Sequence, residues 1–246
     1  MSEQRKVALV TGSATGIGAA CAVRFAERGL AVVVNYSRSQ KEAEETLAAV
    51  KKHDVPAILC KANIADESAV KEMIVRCKKE LGGLDVLVNN AGTTRFIDHT
   101  DLDALTDEVW DEILGVNIKG TFYCIRAAMP LLQQRSGNII NITSVAGLQG
   151  NGSSIPYAMS KAALNNMTKS LARAYGPNVR VNSVAPGPVI TRWLADHQDH
   201  IDGSVKITPM QRAATPEDIA DSVEYLALGT TLTTGQILVV DGGRTM

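Results

Sequence analysis

The chain has almost no excess of charge of either sign: 25 lysines and arginines stand against 26 aspartates and glutamates, a formal net charge of -1 over 246 residues. With no net field, nothing draws the protein to nucleic acid or to an anionic membrane, and polyanion binding is a poor reading. Long hydrophobic runs are also missing. No stretch approaches a membrane span, and the N-terminal MSEQRKVALV passes from polar residues into an apolar run too short for a signal-peptide core. A cytoplasmic protein is expected. Cysteine is sparse: Cys21, Cys60, Cys77 and Cys124 form no Cys-x-x-Cys pair and have no histidine cluster beside them, so reduced, partly buried thiols are expected. Asp196, His197, Asp199 and His200 crowd together in ADHQDH, but ligands adjacent on one short polar segment read as a solvated loop, and no metal is expected. Linkers, low-complexity tracts and internal repeats are absent. The 45% hydrophobic content therefore serves one core, and residues 1–246 read as a single domain.

Against these absences stands a regular alternation. Seven short apolar, β-branched runs (KVALV, AVVVN, AILCK, LDVLVNN, NIINIT, VRVNSVA and GQILVV) read as buried strands. Between them, segments such as 19–28, 40–53, 67–81 and 158–175 carry helical periodicity. Strand-helix repetition implies parallel neighbours joined by right-handed crossovers. The expected fold is α/β: a doubly wound, Rossmann-type domain, with a parallel sheet of about seven strands and helices on both faces. The least regular region is 187–216, where Pro188, Gly203, Pro209 and Pro216 surround a mixture of polar residues with Trp193, Leu194 and Ile201. So long a loop in a compact domain suggests a substrate lid.

The first strand runs into TGSATGIG, which places Gly12, Gly16 and Gly18 directly ahead of a helix. Glycines there let the backbone approach a pyrophosphate while the helix N-terminus offers free N–H groups. The spacing, G-x-x-x-G-x-G, differs from the common G-x-G-x-x-G fingerprint. At the end of the second strand an acidic residue would bind a ribose 2'-hydroxyl. Here VVVNYSRS offers Ser37 and Arg38 and no carboxylate from 32 to 40, which favours NADP(H) over NAD(H). Thr15 occupies the position before the middle glycine, so Arg38 is expected to be the one principal cationic anchor.

Further along, Tyr157 and Lys161 lie four apart on a helical stretch, hence on one face, with Ser144 thirteen positions before the tyrosine. Together with TGSATGIG, NNAG at 89–92, Asn117 in GVNIKG and the Pro186-Gly187 turn, these elements resemble the short-chain dehydrogenase/reductase family over essentially the whole chain. Within it the pattern is most similar to 3-oxoacyl carrier-protein reductases and related carbonyl reductases. The resemblance implies a ketone–alcohol oxidoreductase in which Ser144 bonds the substrate oxygen and Tyr157 exchanges its proton. Lys161 would hold the nicotinamide ribose and tune Tyr157, and Asn117 would hold a water of a proton relay. It also implies cofactor contacts at Gly12, Ser13, Thr15, Gly16, Ile17, Gly18, Ser37, Arg38, Asn63, Ile64, Asn90, Ala91, Gly92, Tyr157, Lys161, Pro186, Gly187, Val189 and Thr191. Asn63 stands where the family commonly has aspartate, so adenine binding should be adjusted rather than lost. Asn90 reads as a structural bridge between strands.

Physically, a free phenol with a pKa of about 10 is a scarce base at neutral pH. An ammonium about 4 Å away is worth roughly 4 kcal/mol at an effective dielectric of about 20, enough to bring the phenol toward working pH. The expected substrate is a ketone, with a 3-oxo ester or thioester fitting Ile155, Trp193 and Leu194 near the mouth. The alternative is a 3-oxoacyl carrier-protein reductase of fatty acid synthesis. For its acidic partner Met129, Gln133 and Gln134 are poorly placed, leaving Arg126, Arg135 and Arg173. A dinucleotide-binding regulator without catalysis is a third reading, opposed by the complete Asn117, Ser144, Tyr157, Lys161 set. The last strand and the GGRTM tail resemble the segment through which family members pair into homotetramers.

Overall fold

The apolar runs form strands because each can bury side chains on both of its faces. In the computed structural model, which describes residues 5–194, 203 and 205–246, they are β1 (Val7–Val10), β2 (Ala31–Tyr36), β3 (Ala57–Lys61), β4 (Val86–Asn89), β5 (Asn138–Ile142), β6 (Arg180–Pro186) and β7 (Ile237–Val240). Every pairing is parallel, and the strands lie in the order β3-β2-β1-β4-β5-β6-β7. Ala8, Val10, Val32, Val34, Val88 and Ile140 point into a first apolar core, while Val7, Leu9, Val33, Leu87 and Ile139 point into a second. Two cores explain why these strands show continuous apolar runs rather than polar alternation. The protein is a single Rossmann-like α/β domain.

Helices close both faces. The first core is covered by α1 (Gly16–Glu27) and α2 (Gln40–Lys51), which contribute Phe25, Ala43 and Val50. The second lies under α3 (Glu67–Leu81), which contributes Met73 and Cys77. Asp66 starts α3 by accepting the Ser68 and Ala69 N–H groups, and Gly82 stops it in the left-handed region at φ 87°. Next come α4 (Asp107–Leu114), a π-helical stretch (Gly115–Gly120) and α5 (Thr121–Gln134). The chain continues through α6 (Ala146–Gln149), α7 (Ile155–Tyr175) and α8 (Pro216–Glu224), the last begun by a reciprocal Thr215–Asp218 capping box.

Two features of this frame position the site. The chain winds outward from β1 to β3, then crosses back to β4 on the other side of β1, so the connections leave the carboxyl ends of β1 and β4 in opposite directions. A crevice opens at that switch point. A buried polar chain then fixes α7 on the sheet: Asn89 Nδ2 donates to Asn141 Oδ1 (2.9 Å), Asn141 Nδ2 to Thr168 Oγ1 (2.8 Å), and the Thr168 and Ser183 hydroxyls share a 2.6 Å hydrogen bond. Such a network fixes register as well as adding stability.

The four cysteines are all free and buried. Burial pushes the Cys21, Cys77 and Cys124 thiols up to about 12, which leaves them unreactive. Among the described residues no helix is long and apolar enough to cross a membrane.

Candidate active site

The glycine turn after β1 is shaped by close approach. Gly12 and Gly16 adopt φ +61° and +57°, and a Cβ on Gly12 would lie 2.9 Å from the Ala91 backbone. A Cβ on Gly18 would meet the Gly12 carbonyl oxygen at 2.5 Å, so the third glycine lets α1 sit tightly against its own entry turn. The turn is tied down from three sides. Asn90 Nδ2 donates to the Thr11 and Gly12 carbonyls (2.9 and 3.0 Å), and the Thr11 hydroxyl accepts from the Asn90 and Ala91 N–H groups, each at 3.0 Å. From β2, Asn35 Oδ1 accepts the Gly12 N–H at 2.9 Å while its Nδ2 donates to the Cys60 and Ala62 carbonyls (3.2 and 3.1 Å). At the start of α1, Thr15 makes no side-chain cap, which leaves the helix N–H groups for an anion. This backbone cradle fits a pyrophosphate.

The side chains expected to be catalytic converge from β5 and α7. Ser144 follows β5, and its Oγ accepts the Ala146 N–H at 3.1 Å, which leaves its own proton free to donate. Tyr157 and Lys161 occupy successive turns of α7, with Nζ 5.6 Å from the tyrosine ring centre. Lys161 is almost fully buried and donates to the Ile142 carbonyl at 3.0 Å. Burial lowers its ammonium to about 8. Burial pushes the Tyr157 phenol up to about 12, opposed by a hydrogen bond with Ser144. The shift runs opposite to the one expected from Lys161: burial raises the phenol and the Ser144 hydrogen bond only partly offsets it. One glycine makes the convergence possible. A Cβ on Gly147 would lie 2.5 Å from the Lys161 carbonyl carbon, so only glycine lets α6, and with it Ser144, pack onto α7.

These groups share one cavity of about 1100 Å³ at the switch point. Comparison with known proteins covers nearly the whole chain. A family model described as Enoyl-(Acyl carrier protein) reductase matches residues 12–245. The protein named granaticin polyketide synthase ketoacyl reductase 2, from Streptomyces violaceoruber, is 45% identical over 244 residues, covering 96% of this chain and 95% of that one. The 3-oxoacyl-acyl-carrier-protein reductase of Staphylococcus aureus is 40% identical over 245 residues, 98% of each chain. The chain belongs to the short-chain dehydrogenase/reductase family. A solved family member from Burkholderia xenovorans superimposes with a TM-score of 0.92 at 33% identity, over 99% of each chain. As a family member the protein is an oxidoreductase.

Not every residue carried over from the short-chain dehydrogenase/reductase pattern lines the cavity. Gly12, Thr15, Gly16, Ile17, Ser37, Arg38, Asn90, Ala91, Gly92, Ser144, Tyr157, Lys161, Pro186, Gly187, Val189 and Thr191 do. Ser13 and Gly18 lie behind the wall: the Ser13 hydroxyl is consumed by the Val10 carbonyl (2.8 Å) and the Asn35 N–H (2.9 Å). Asn63 and Ile64 also stand off the lining. Asn63 Oδ1 accepts the Ala65 N–H at 3.1 Å, and Ile64 is buried in the second core.

Asn117 is fully buried in the π-helical stretch. Its Oδ1 accepts the Thr93 N–H (2.8 Å), and its Nδ2 donates to the Thr93 carbonyl (3.0 Å) and Ser160 Oγ (2.9 Å). Its side chain therefore braces the wall behind Lys161.

Trp193 lies with its ring centre 6.2 Å from that of Tyr157, whereas Ile155 is not part of the lining. Phe96, Ile97 and Arg244 line the cavity without having been anticipated. Neither were Thr11, Asn35 and Gly147; an asparagine fully inside the strand AVVVNY was the one visible signal.

One further expectation changes. Arg135 is no docking residue: it pairs with Asp85 at 2.9 Å with both side chains largely buried, just before β4 and thus at the amino end of the strands, opposite the cavity. Arg126 pairs with Glu67 at 2.8 Å and stacks over Phe122 and Tyr123. Of the region 187–216, residues 195–202 and 204, including Asp196, His197, Asp199 and His200, lie outside the described residues. Its two ends are joined, Ile190 N–H to the Ala214 carbonyl (2.9 Å) and Ala214 N–H to the Pro188 carbonyl (3.1 Å).

Proposed function

We propose that the protein is an NADP(H)-dependent reductase of ketones, with 3-oxoacyl thioesters as the substrate class. The observation that carries this reading is one cavity lined by Ser144, Tyr157 and Lys161 and also by Ser37 and Arg38. The nicotinamide, when bound, supplies the hydride. A phenol held near 12 is almost wholly protonated at neutral pH, so Tyr157 is ready to give its proton to the substrate oxygen. Ser144 donates to the same oxygen as its charge develops. Lys161 keeps a positive charge behind Tyr157, and Asn117 would hold, through its backbone carbonyl, a water that returns the proton to Tyr157. Gly12, Gly16 and the start of α1 hold the pyrophosphate. Arg38 is exposed and its side chain makes no hydrogen bond or ion pair among the described residues, which leaves its guanidinium for a 2'-phosphate.

The names of the relatives favour a thioester ketone, and a carrier-protein-bound one is the alternative substrate. The family model's description names enoyl reduction, a second reading that a single assay separates. The segment 187–216, with its ends pinned together, serves as the substrate lid. A homotetramer would cover β7, whose Leu238 and Val239 are 36% and 37% exposed. The cytoplasm is the proposed compartment. The test is kcat/KM with NADPH and NADH on ketones, 3-oxoacyl thioesters and the matching enoyl thioesters. Turnover of the oxo compounds with a preference for NADPH is expected. Turnover confined to enoyl thioesters would overturn the ketone assignment, and a preference for NADH the cofactor assignment.

A further inference from the structure

The loop that carries Trp193 reaches across the cavity mouth to the first turn of α2. Arg192 Nη2 donates to Ser39 Oγ at 2.8 Å, and Nη1 lies 3.3 Å from Glu42 Oε1. Ser39 is the N-cap of α2, yet its hydroxyl makes no capping bond to the helix and serves Arg192 instead. Ser37, Arg38, Ser39 and Arg192 all line the same end of the cavity. The site that offered a single cation in the sequence thus gathers two, 154 positions apart, around two hydroxyls.

We infer that Arg192 is a second anchor for the cofactor's 2'-phosphate, and that phosphate engagement there seats the loop that sets Trp193 beside Tyr157. This rests on the NADP(H) reading. The Glu42 contact is loose and open to water, the side chains being 58% and 41% exposed, so a phosphate dianion displaces it at little cost. Between two guanidiniums and the Ser37 and Ser39 hydroxyls the dianion gains charge-assisted bonds that a 2'-hydroxyl cannot match. Glu42 then acts as the competitor: its carboxylate holds Arg192 when no phosphate does and disfavours weaker anions. The next residue, Trp193, lies in the same short 3-10 turn as Arg192, so fixing the guanidinium fixes the ring that packs 6.2 Å from Tyr157. Recognition of the adenosine end is thereby linked to the substrate end.

Binding of 2',5'-ADP and 5'-AMP, measured by calorimetry on the full-length protein, isolates the phosphate from the nicotinamide. Wild type should favour 2',5'-ADP. Arg192→Ala should reduce the ratio of the two affinities by about tenfold, the lower end expected for an exposed charged hydrogen bond. Arg192→Lys should restore part of it, and Glu42→Gln should raise it. With NADPH, Arg192→Ala should also raise KM for the ketone, because Trp193 is no longer seated. A wild type that binds both nucleotides equally would overturn the NADP(H) reading itself. A wild type that prefers 2',5'-ADP, with a ratio unchanged within twofold in Arg192→Ala, would overturn the role of Arg192 alone.

Discussion

Replacing Asn35 with alanine removes three hydrogen bonds at once from a side chain that is 1% exposed. The Gly12 N–H and the Cys60 and Ala62 carbonyls, bonded at 2.9, 3.2 and 3.1 Å, lose their partner together. At about 0.5–1.5 kcal/mol net per bond, the expected loss of stability is about 2–4 kcal/mol. For a domain of this size that lowers Tm by about 5–15 °C. Aspartate should be worse still at pH 8, since it keeps the acceptor for Gly12 but turns a buried carboxylate toward two carbonyl oxygens. Its carboxyl would have a native pKa raised above the unfolded value, so the penalty grows as pH rises through that native pKa and fades as pH falls. Urea unfolding of wild type, Asn35→Ala and Asn35→Asp at pH 8 and pH 5.5, with the slope unchanged, measures these terms. Cofactor fluorescence titration should show weaker NADPH binding, because Gly12 begins the pyrophosphate turn. An alanine variant within about 0.5 kcal/mol of wild type, below the value of one net hydrogen bond, would refute the bracing role. So would an aspartate variant as stable as the alanine one at pH 8.

Tyr157→Phe should lower turnover by on the order of a hundredfold or more while NADPH still binds, since only the proton donor is removed; near-normal steady-state turnover would sink the assignment. Burial holds Lys161 near 8, so kcat/KM for NADPH should fall above about pH 8 as the ammonium loses its proton, and Lys161→Arg should move that limb upward in a pH-rate profile. Gly147→Ala drives a methyl to 2.5 Å from the backbone of α7, and relief requires α6 and α7 to separate. Overpacking of this kind costs about 1–3 kcal/mol, and kcat should fall with it because Ser144 moves with α6; paired denaturation and kinetic measurements would expose a silent substitution. Arg38→Ala should remove most of the NADPH-over-NADH preference, about ten- to 150-fold in kcat/KM, chiefly by weakening NADPH.

Local chemistry was enough to lay out most of this protein from its sequence. The segment AILCK and the residues 67–81 coincide with β3 and α3, because strand and helix formation follow from side-chain periodicity and a capping aspartate. The order of strands and helices implied the parallel sheet, and the spacing of Tyr157 and Lys161 put them on one face of α7. What depends on residues meeting from distant parts of the chain could not be read that way. Asn35 looks like any polar residue in an apolar strand until Gly12 and the β3 carbonyls surround it. Arg135 was a free basic residue by composition, yet the fold carries it to the amino end of the strands and closes it on Asp85. Arg192 meets Ser39 and Glu42 only because the loop after β6 folds back over the end of β2. The Tyr157 phenol was misjudged for the same reason. Spacing gives the nearness of an ammonium, but only packing sets how much water both groups lose, and burial raises the phenol and lowers the ammonium.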